Sequence, residues 1–336
     1  MSSRRQSYLS FAAGAAISSA AWLIRQGRVN RQCLYEQSDV IAEQAIERLE
    51  LPLEAHWIEA NGVRLHTVLA GPQDGPLIVL LHGFPEIWFT WRKQIKPLAE
   101  AGYRVVVPDQ RGYNLSDKPA GVASYRIDVL ATDIRALIYA LGAERAIIAG
   151  HDWGGSVAWA LPMLYPEVVD RLIVMNAPHP AAFARELRDN PDQRRRSWYI
   201  AFFQLPWLPE LLIGYSPRAS AEFFFRKGAT RFEAFTDDEL DMMATGLAQP
   251  GALTAMLNWY RAIRLARRTG EPRPIEHRTL LIWGQDDKAL GPSLTCGLEP
   301  WAPNLALRAI PNCGHWVQNE APGEVNAHML AFLKSE

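Results

Sequence analysis

From residue 55 onward, short apolar runs alternate with longer amphipathic stretches, the pattern of strands buried on both faces between helices. Trp57–Ala60 and Leu65–Leu69 flank Asn61-Gly62, a two-residue turn signal that predicts an opening antiparallel hairpin. Six mainly apolar runs follow: Leu77–Leu81, Tyr103–Val107, Ala146–Ala149, Leu172–Met175, Thr279–Trp283 and Ala306–Ile310. Helical spacing places helices at about 128–141, 155–164 and 324–333. Strands alternating with helices define an α/β class, here an eight-stranded, mostly parallel sheet flanked by helices.

Between His179 and Pro274 the rhythm stops. This segment is rich in aromatic, Arg and Pro residues and reads as helices joined by turns, with strands resuming at Thr279. It is therefore expected as an inserted helical cap (179–274) within a core made of 55–178 and 275–336, lying over the strand ends where open sheets bind ligands. Residues 1–54 form an expected helical extension, with Ile41, Ala45, Ile46 and Leu49 at helical spacing between 36 and 49. Before that, Arg4-Arg5 precede a weakly apolar stretch, Tyr8 to Ile24. Three readings stay open for residues 8–24: an export signal, a membrane anchor, or a helix docked on the body of the protein. Localisation is correspondingly open between cytoplasm, membrane and export.

Composition narrows the chemistry. The 336 residues are 49% hydrophobic and 21% charged, and the formal net charge of −1 comes from scattered residues. No basic face for nucleic acid is visible, so no nucleic-acid partner is expected. Cys33, Cys296 and Cys313 are far apart and lack metal-ligand spacing, which predicts free thiols, no disulfide framework and no metal site.

Gly150-His151-Asp152-Trp153-Gly154 follows a predicted strand and leads into a predicted helix. Glycines around a central nucleophile permit a sharp strand-to-helix turn, here with Asp where esterases carry Ser. The helix amino terminus behind Asp152 favours an ionised carboxylate. A carboxylate suits displacement at saturated carbon, giving an alkyl-enzyme ester, and the strained ring of an epoxide or a carbon–halogen bond offers such a carbon. Hydrolysing that ester needs a base for water and donors for the oxyanion. His315, in the loop Pro311–Trp316 between the last strand and last helix, is the expected base. Of the neighbours Asp286 and Asp287, Asp287 lies further round its turn and is preferred as the orienting acid, giving the order Asp, Asp, His. The expected oxyanion donors are the backbone N–H groups of Phe84 and Trp153; Pro85 has none to offer.

On these motifs the chain resembles the epoxide hydrolases of the α/β-hydrolase superfamily, in particular their soluble and membrane-anchored branch. The resemblance spans about 57–333 and includes His82-Gly83-Phe84-Pro85, Trp88–Arg92, Asp109–Tyr113, the 150–154 turn, Trp283–Asp287 and Gly314-His315-Trp316. It implies the α/β-hydrolase fold, no cofactor, and two cap tyrosines that donate to the epoxide oxygen. Tyr199 in Tyr199–Trp207 and Tyr260 in Asn258–Arg261 stand where the family carries them. Trp198, Phe203 and Trp259 are then expected as apolar pocket wall for a small apolar epoxide. Oligomeric state stays open between monomer and homodimer.

Two other functions share parts of this pattern. Haloalkane dehalogenases share most of these motifs but usually carry Asn at the Phe84 position to hold halide, and fluoroacetate dehalogenases carry Arg where Trp153 stands. A non-catalytic ligand-binding protein on the same fold commonly lacks one member of the nucleophile, base, acid and donor set. Halide release against diol formation separates the first; any turnover excludes the second.

Overall fold

A computed structural model of the chain describes residues 24–265 and 273–335. The extension contributes α1 (24–36) and α2 (Ser38–Glu47). Eight strands follow: β1 (Glu54–Ala60), β2 (Val63–Ala70), β3 (Leu77–Leu81), β4 (Arg104–Pro108), β5 (Ala146–His151), β6 (Val169–Met175), β7 (Thr279–Gly284) and β8 (Leu305–Ile310). They form one sheet in the order β1-β2-β4-β3-β5-β6-β7-β8. β2 pairs antiparallel with both β1 and β4, and every pairing from β4 to β8 is parallel. All five residues of β3 and all six of β5 are buried, which is why these runs carry no polar alternation. β6 begins at Val169, earlier than the apolar run alone predicts, because Asp170 and Arg171 interrupt the hydrophobic signal before Leu172.

The helices α3 (Arg92–Glu100), α4 (Ile127–Ala140) and α5 (Trp153–Leu164) connect the first strands. Between β6 and β7 the described residues hold only helices and turns. They include α6 (Pro180–Asp189), α7 (Pro191–Arg196), α8 (Trp198–Phe202), α9 (Leu208–Gly214), α10 (Pro217–Ala221), α11 (Asp237–Ala248) and α12 (Ala252–Ala262). α13 (Val317–Glu320) and α14 (Pro322–Lys334) close the chain.

Two buried polar links fasten the helical insertion to the sheet. Arg92 donates from Nε to Glu239 of α11 at 2.6 Å, and both side chains are largely out of water. A buried guanidinium needs such a partner, since leaving it unpaired would cost several kcal/mol, on the order of 3–5. Arg111 makes a two-pronged pair with Asp133 of α4 at 2.6 and 2.7 Å, while its carbonyl accepts the indole N–H of Trp259 in α12 at 3.1 Å. The sequence motifs around Arg92 and Arg111 are thus structural links between layers. The amino-terminal extension packs on the insertion too: Asn30 donates to the Tyr215 carbonyl at 2.8 Å, and Arg48 pairs with Asp238. Ile41, Ala45, Ile46 and Leu49 are half-buried against the core, as their spacing predicts. The stretch from Tyr8 lies outside the described residues apart from its last one, Ile24. No described helix is long and apolar enough to cross a membrane. All three cysteines are free thiols.

Candidate active site

Asp152 stands between β5 and α5 with φ 50° and ψ −119°, a conformation few L-residues adopt. The turn is possible because its neighbours are glycines. A Cβ on Gly150 would lie 2.3 Å from the Gly154 carbonyl oxygen, and one on Gly83 would lie 2.4 Å from the Asp152 Cβ. Backbone strain of this kind holds a side chain out of the sheet and marks functional positions. The carboxylate is 15% exposed, and its Oδ1 accepts the Phe84 N–H at 2.8 Å. Trp153 is the first residue of α5, so its amide belongs to the unpaired N–H groups at that helix end.

The loops after β7 and β8 bring the other two groups to the same end of the sheet. Asp287 is buried and accepts four hydrogen bonds. Its Oδ1 takes the amides of Ala289 at 2.8 Å and Leu290 at 2.9 Å. Its Oδ2 takes Asn176 Nδ2 at 2.8 Å and His315 Nδ1 at 2.7 Å. Asp286, by contrast, is exposed. The imidazole of His315 turns its other nitrogen toward Asp152, with Nε2 3.6 Å from Oδ2.

Burial alone would raise the Asp287 carboxyl, but the imidazole beside it and its hydrogen bonds hold it below its ordinary value. Burial would likewise lower His315; the Asp287 carboxylate first, then Asp152, overcomes this and holds it well above 6.5. Tyr199 and Tyr260 are both pushed far up, by burial first and then by the negative charge of Asp152. Both phenols therefore stay protonated and keep their capacity to donate hydrogen bonds.

Asp152, Trp153, Tyr199 and Tyr260 line one cavity of about 500 Å³. This is within the usual size of a small-molecule pocket. Trp259 belongs to its wall. Two expected wall residues do not. Trp198 is 63% exposed, because it opens the short helix α8 on its solvent side, its ring tilted against that of Phe202. Phe203 is buried behind the wall, packed edge-to-face on Phe84 and Tyr260. An aromatic-rich segment announces a packed surface; its pattern does not say which ring meets solvent, core or cavity.

Sequence reasoning also missed a buried polar chain beneath the site. Glu86 is fully buried, accepts the Gly83 amide at 2.7 Å, and meets His151 Nδ1 at 2.7 Å. The opposite nitrogen of His151 lies 2.8 Å from the carbonyl oxygen of His315. Burial would raise Glu86, but the His151 charge and its hydrogen bonds hold the carboxyl below its ordinary value. Glu86 and His151 thus tie the loop carrying Phe84 to the loop carrying His315. Asn176 does the same for Asp287, since its Oδ1 accepts the Gly284 amide at 2.8 Å. No signal short of three-dimensional contact joins these positions, which lie 65 to 164 residues apart along the pairs named. Among the described residues, no group of three or more His, Cys, Asp or Glu is arranged to hold a metal ion.

A strained acidic residue after the fifth strand, an acid after the seventh and a histidine after the eighth define an α/β-hydrolase. The model of that fold's family matches residues 76–322. The AB hydrolase superfamily protein YfhM of Bacillus subtilis is 44% identical over 284 residues, covering 84% of this chain and 99% of that protein. Epoxide hydrolase 1 of Caenorhabditis elegans is 39% identical over 284 residues, covering 83% of this chain and 70% of that one. The crystal structure of Bacillus megaterium epoxide hydrolase in complex with an inhibitor aligns with a TM-score of 0.75 at 33% identity, over 83% of this chain and all of that chain. The chain belongs to the epoxide hydrolases of the α/β-hydrolase superfamily.

Proposed function

We propose that this chain opens epoxides to vicinal diols in two steps through an ester on Asp152. In the first step Asp152 attacks one ring carbon, the carbon–oxygen bond breaks, and the Tyr199 and Tyr260 hydroxyls donate to the departing oxygen, one of them supplying its proton. In the second, His315, oriented by Asp287, takes a proton from water, and the resulting hydroxide attacks the carboxyl carbon of Asp152. The Phe84 and Trp153 amides hold the tetrahedral oxyanion; as it collapses, the bond to the diol oxygen breaks, the proton of the added hydroxyl passes to that oxygen, and the proton held by His315 returns to the tyrosinate left by the first step, restoring the free enzyme. No cofactor enters this scheme.

One observation carries the proposal: a carboxylate and two protonated phenols share a single cavity, with an imidazole 3.6 Å from the carboxylate. The phenols matter most for the choice of substrate, because an alkoxide forming on carbon needs a donor at that moment. A departing halide is held by donors too, but it leaves as a stable anion and needs no proton. The test is a panel of styrene oxide and short bromoalkanes with wild type, Asp152→Asn and Tyr199→Phe. Diol from the epoxide, lost in Asp152→Asn and sharply reduced in Tyr199→Phe, is the expected result. Bromide release without diol would replace this reading with a dehalogenase.

A further inference from the structure

We propose that the cavity selects terminal epoxides carrying one long, unbranched apolar chain, which lies along α5 toward a mouth between Leu164 and Ile263. The inference rests on the epoxide-opening role of Asp152. It follows from the asymmetry of the space around that carboxylate.

On one side the carboxylate meets packed rings. Phe84, whose amide touches Asp152, is buried and meets Phe203, Phe224 and Tyr260 edge-to-face at centroid distances of 5.3, 5.7 and 5.3 Å. A second bulky group on the epoxide would have to part these rings, and such packing gives way only at a cost. On the other side the cavity is continuous. Ser156, Ala160 and Leu164 line it at four-residue intervals from Asp152, one face of one helix. The first two are small, so they leave a trough; Phe183, Ile200 and Ile263 form the opposite wall. Leu164 is 44% and Ile263 43% exposed, which locates the opening.

The trough has a length. Twelve residues of helix from Asp152 to Leu164 advance about 18 Å, and the eight to Ala160 about 12 Å. An extended chain advances roughly 1.2 Å per bond, so about ten bonds bring a substituent to Ala160. Each methylene buried on the way is worth up to about fourfold in kcat/KM. A mid-chain epoxide of the same carbon number cannot use the trough, because half of its carbons would point into the closed side.

The test measures diol from four substrates: a six-carbon, a twelve-carbon and an eighteen-carbon terminal epoxide, and the twelve-carbon trans epoxide with its ring at mid-chain. For wild type, kcat/KM for the twelve-carbon terminal epoxide should exceed that for its mid-chain isomer by about tenfold or more. Ala160→Trp should lower the ratio of twelve-carbon to six-carbon terminal epoxide by a similar factor, since only the longer chain reaches that position. Ile263→Trp, at an exposed place by the mouth about 18 Å along, repeats the test without disturbing the core, read as the ratio of an eighteen-carbon to a twelve-carbon terminal epoxide, because only the eighteen-carbon chain reaches it. Equal rates for the two isomers, or an unchanged chain-length ratio in folded variants, would overturn the selectivity. Diol from none of the four, the six-carbon epoxide included, would instead overturn the epoxide reading on which it rests.

Discussion

Replacing Asp287 by Asn tests the assignment of acid and base through the proton on His315. In the wild-type geometry Oδ1 accepts two backbone amides, so the oxygen of an Asn side chain must stay there. Its NH₂ group is then forced to face Asn176 Nδ2 and His315 Nδ1, both at present donors to Oδ2. Relief comes only if the imidazole presents an unprotonated Nδ1, which moves its proton to Nε2, the nitrogen that faces Asp152. A base protonated at that position cannot take a proton from water. Loss of the correct tautomer costs on the order of 10⁴ in rate in a comparable triad. That corresponds to about 5.5 kcal/mol of barrier. The first step needs no base, so it should slow far less, and the variant should fill with alkyl-enzyme. Stopped-flow tryptophan fluorescence reports the first step, because Trp153 lines the cavity beside Asp152. Intact-protein mass spectrometry reports the ester. A kcat within tenfold of wild type, or equal slowing of both steps with no ester, would refute the reasoning.

Tyr199→Phe and Tyr260→Phe should each slow ester formation by about 10²–10³, the usual loss of one donor to a developing oxyanion, while the decay of preformed ester is little changed; single-turnover kinetics separate the two. The ester-hydrolysis step should rise with pH through the His315 titration, since only the neutral imidazole is a base. Its midpoint in the ester should lie below that of the free enzyme, because esterification removes the Asp152 charge that helps hold His315 up; pre-steady-state rates against pH, beside NMR titration of the free enzyme, check both. Glu86→Gln should destabilise the fold by about 1–3 kcal/mol, because whichever way the amide turns its NH₂ group faces buried donors that the carboxylate now accepts, read as a lower urea midpoint. Because His151 also meets the His315 carbonyl, the same variant should slow ester hydrolysis more than ester formation.

The parts of this molecule legible in its sequence are those set by local pattern. Leu77–Leu81 reads as a strand end to end because burial on both faces leaves an unbroken apolar run, and Asn61-Gly62 fixes the hairpin by its backbone conformation. The 150–154 turn is readable because only small neighbours let Asp152 take its strained geometry. What stayed hidden depends on contacts between distant loops. Glu86 and His151 look unremarkable as separate positions, yet they meet at 2.7 Å beneath the site. Trp198 looked like pocket wall because aromatic density marks the helical insertion as a whole, whereas α8 is too short to show which face turns outward.

The covalent ester on Asp152 is tested most directly by one turnover in ¹⁸O-labelled water, with enzyme in excess over epoxide. The account predicts unlabelled diol, both of its oxygens coming from substrate and the carboxylate, and one labelled oxygen in the peptide containing Asp152. Labelled diol from that first turnover, with an unlabelled Asp152 peptide, would show that water attacks the epoxide directly and would contradict it.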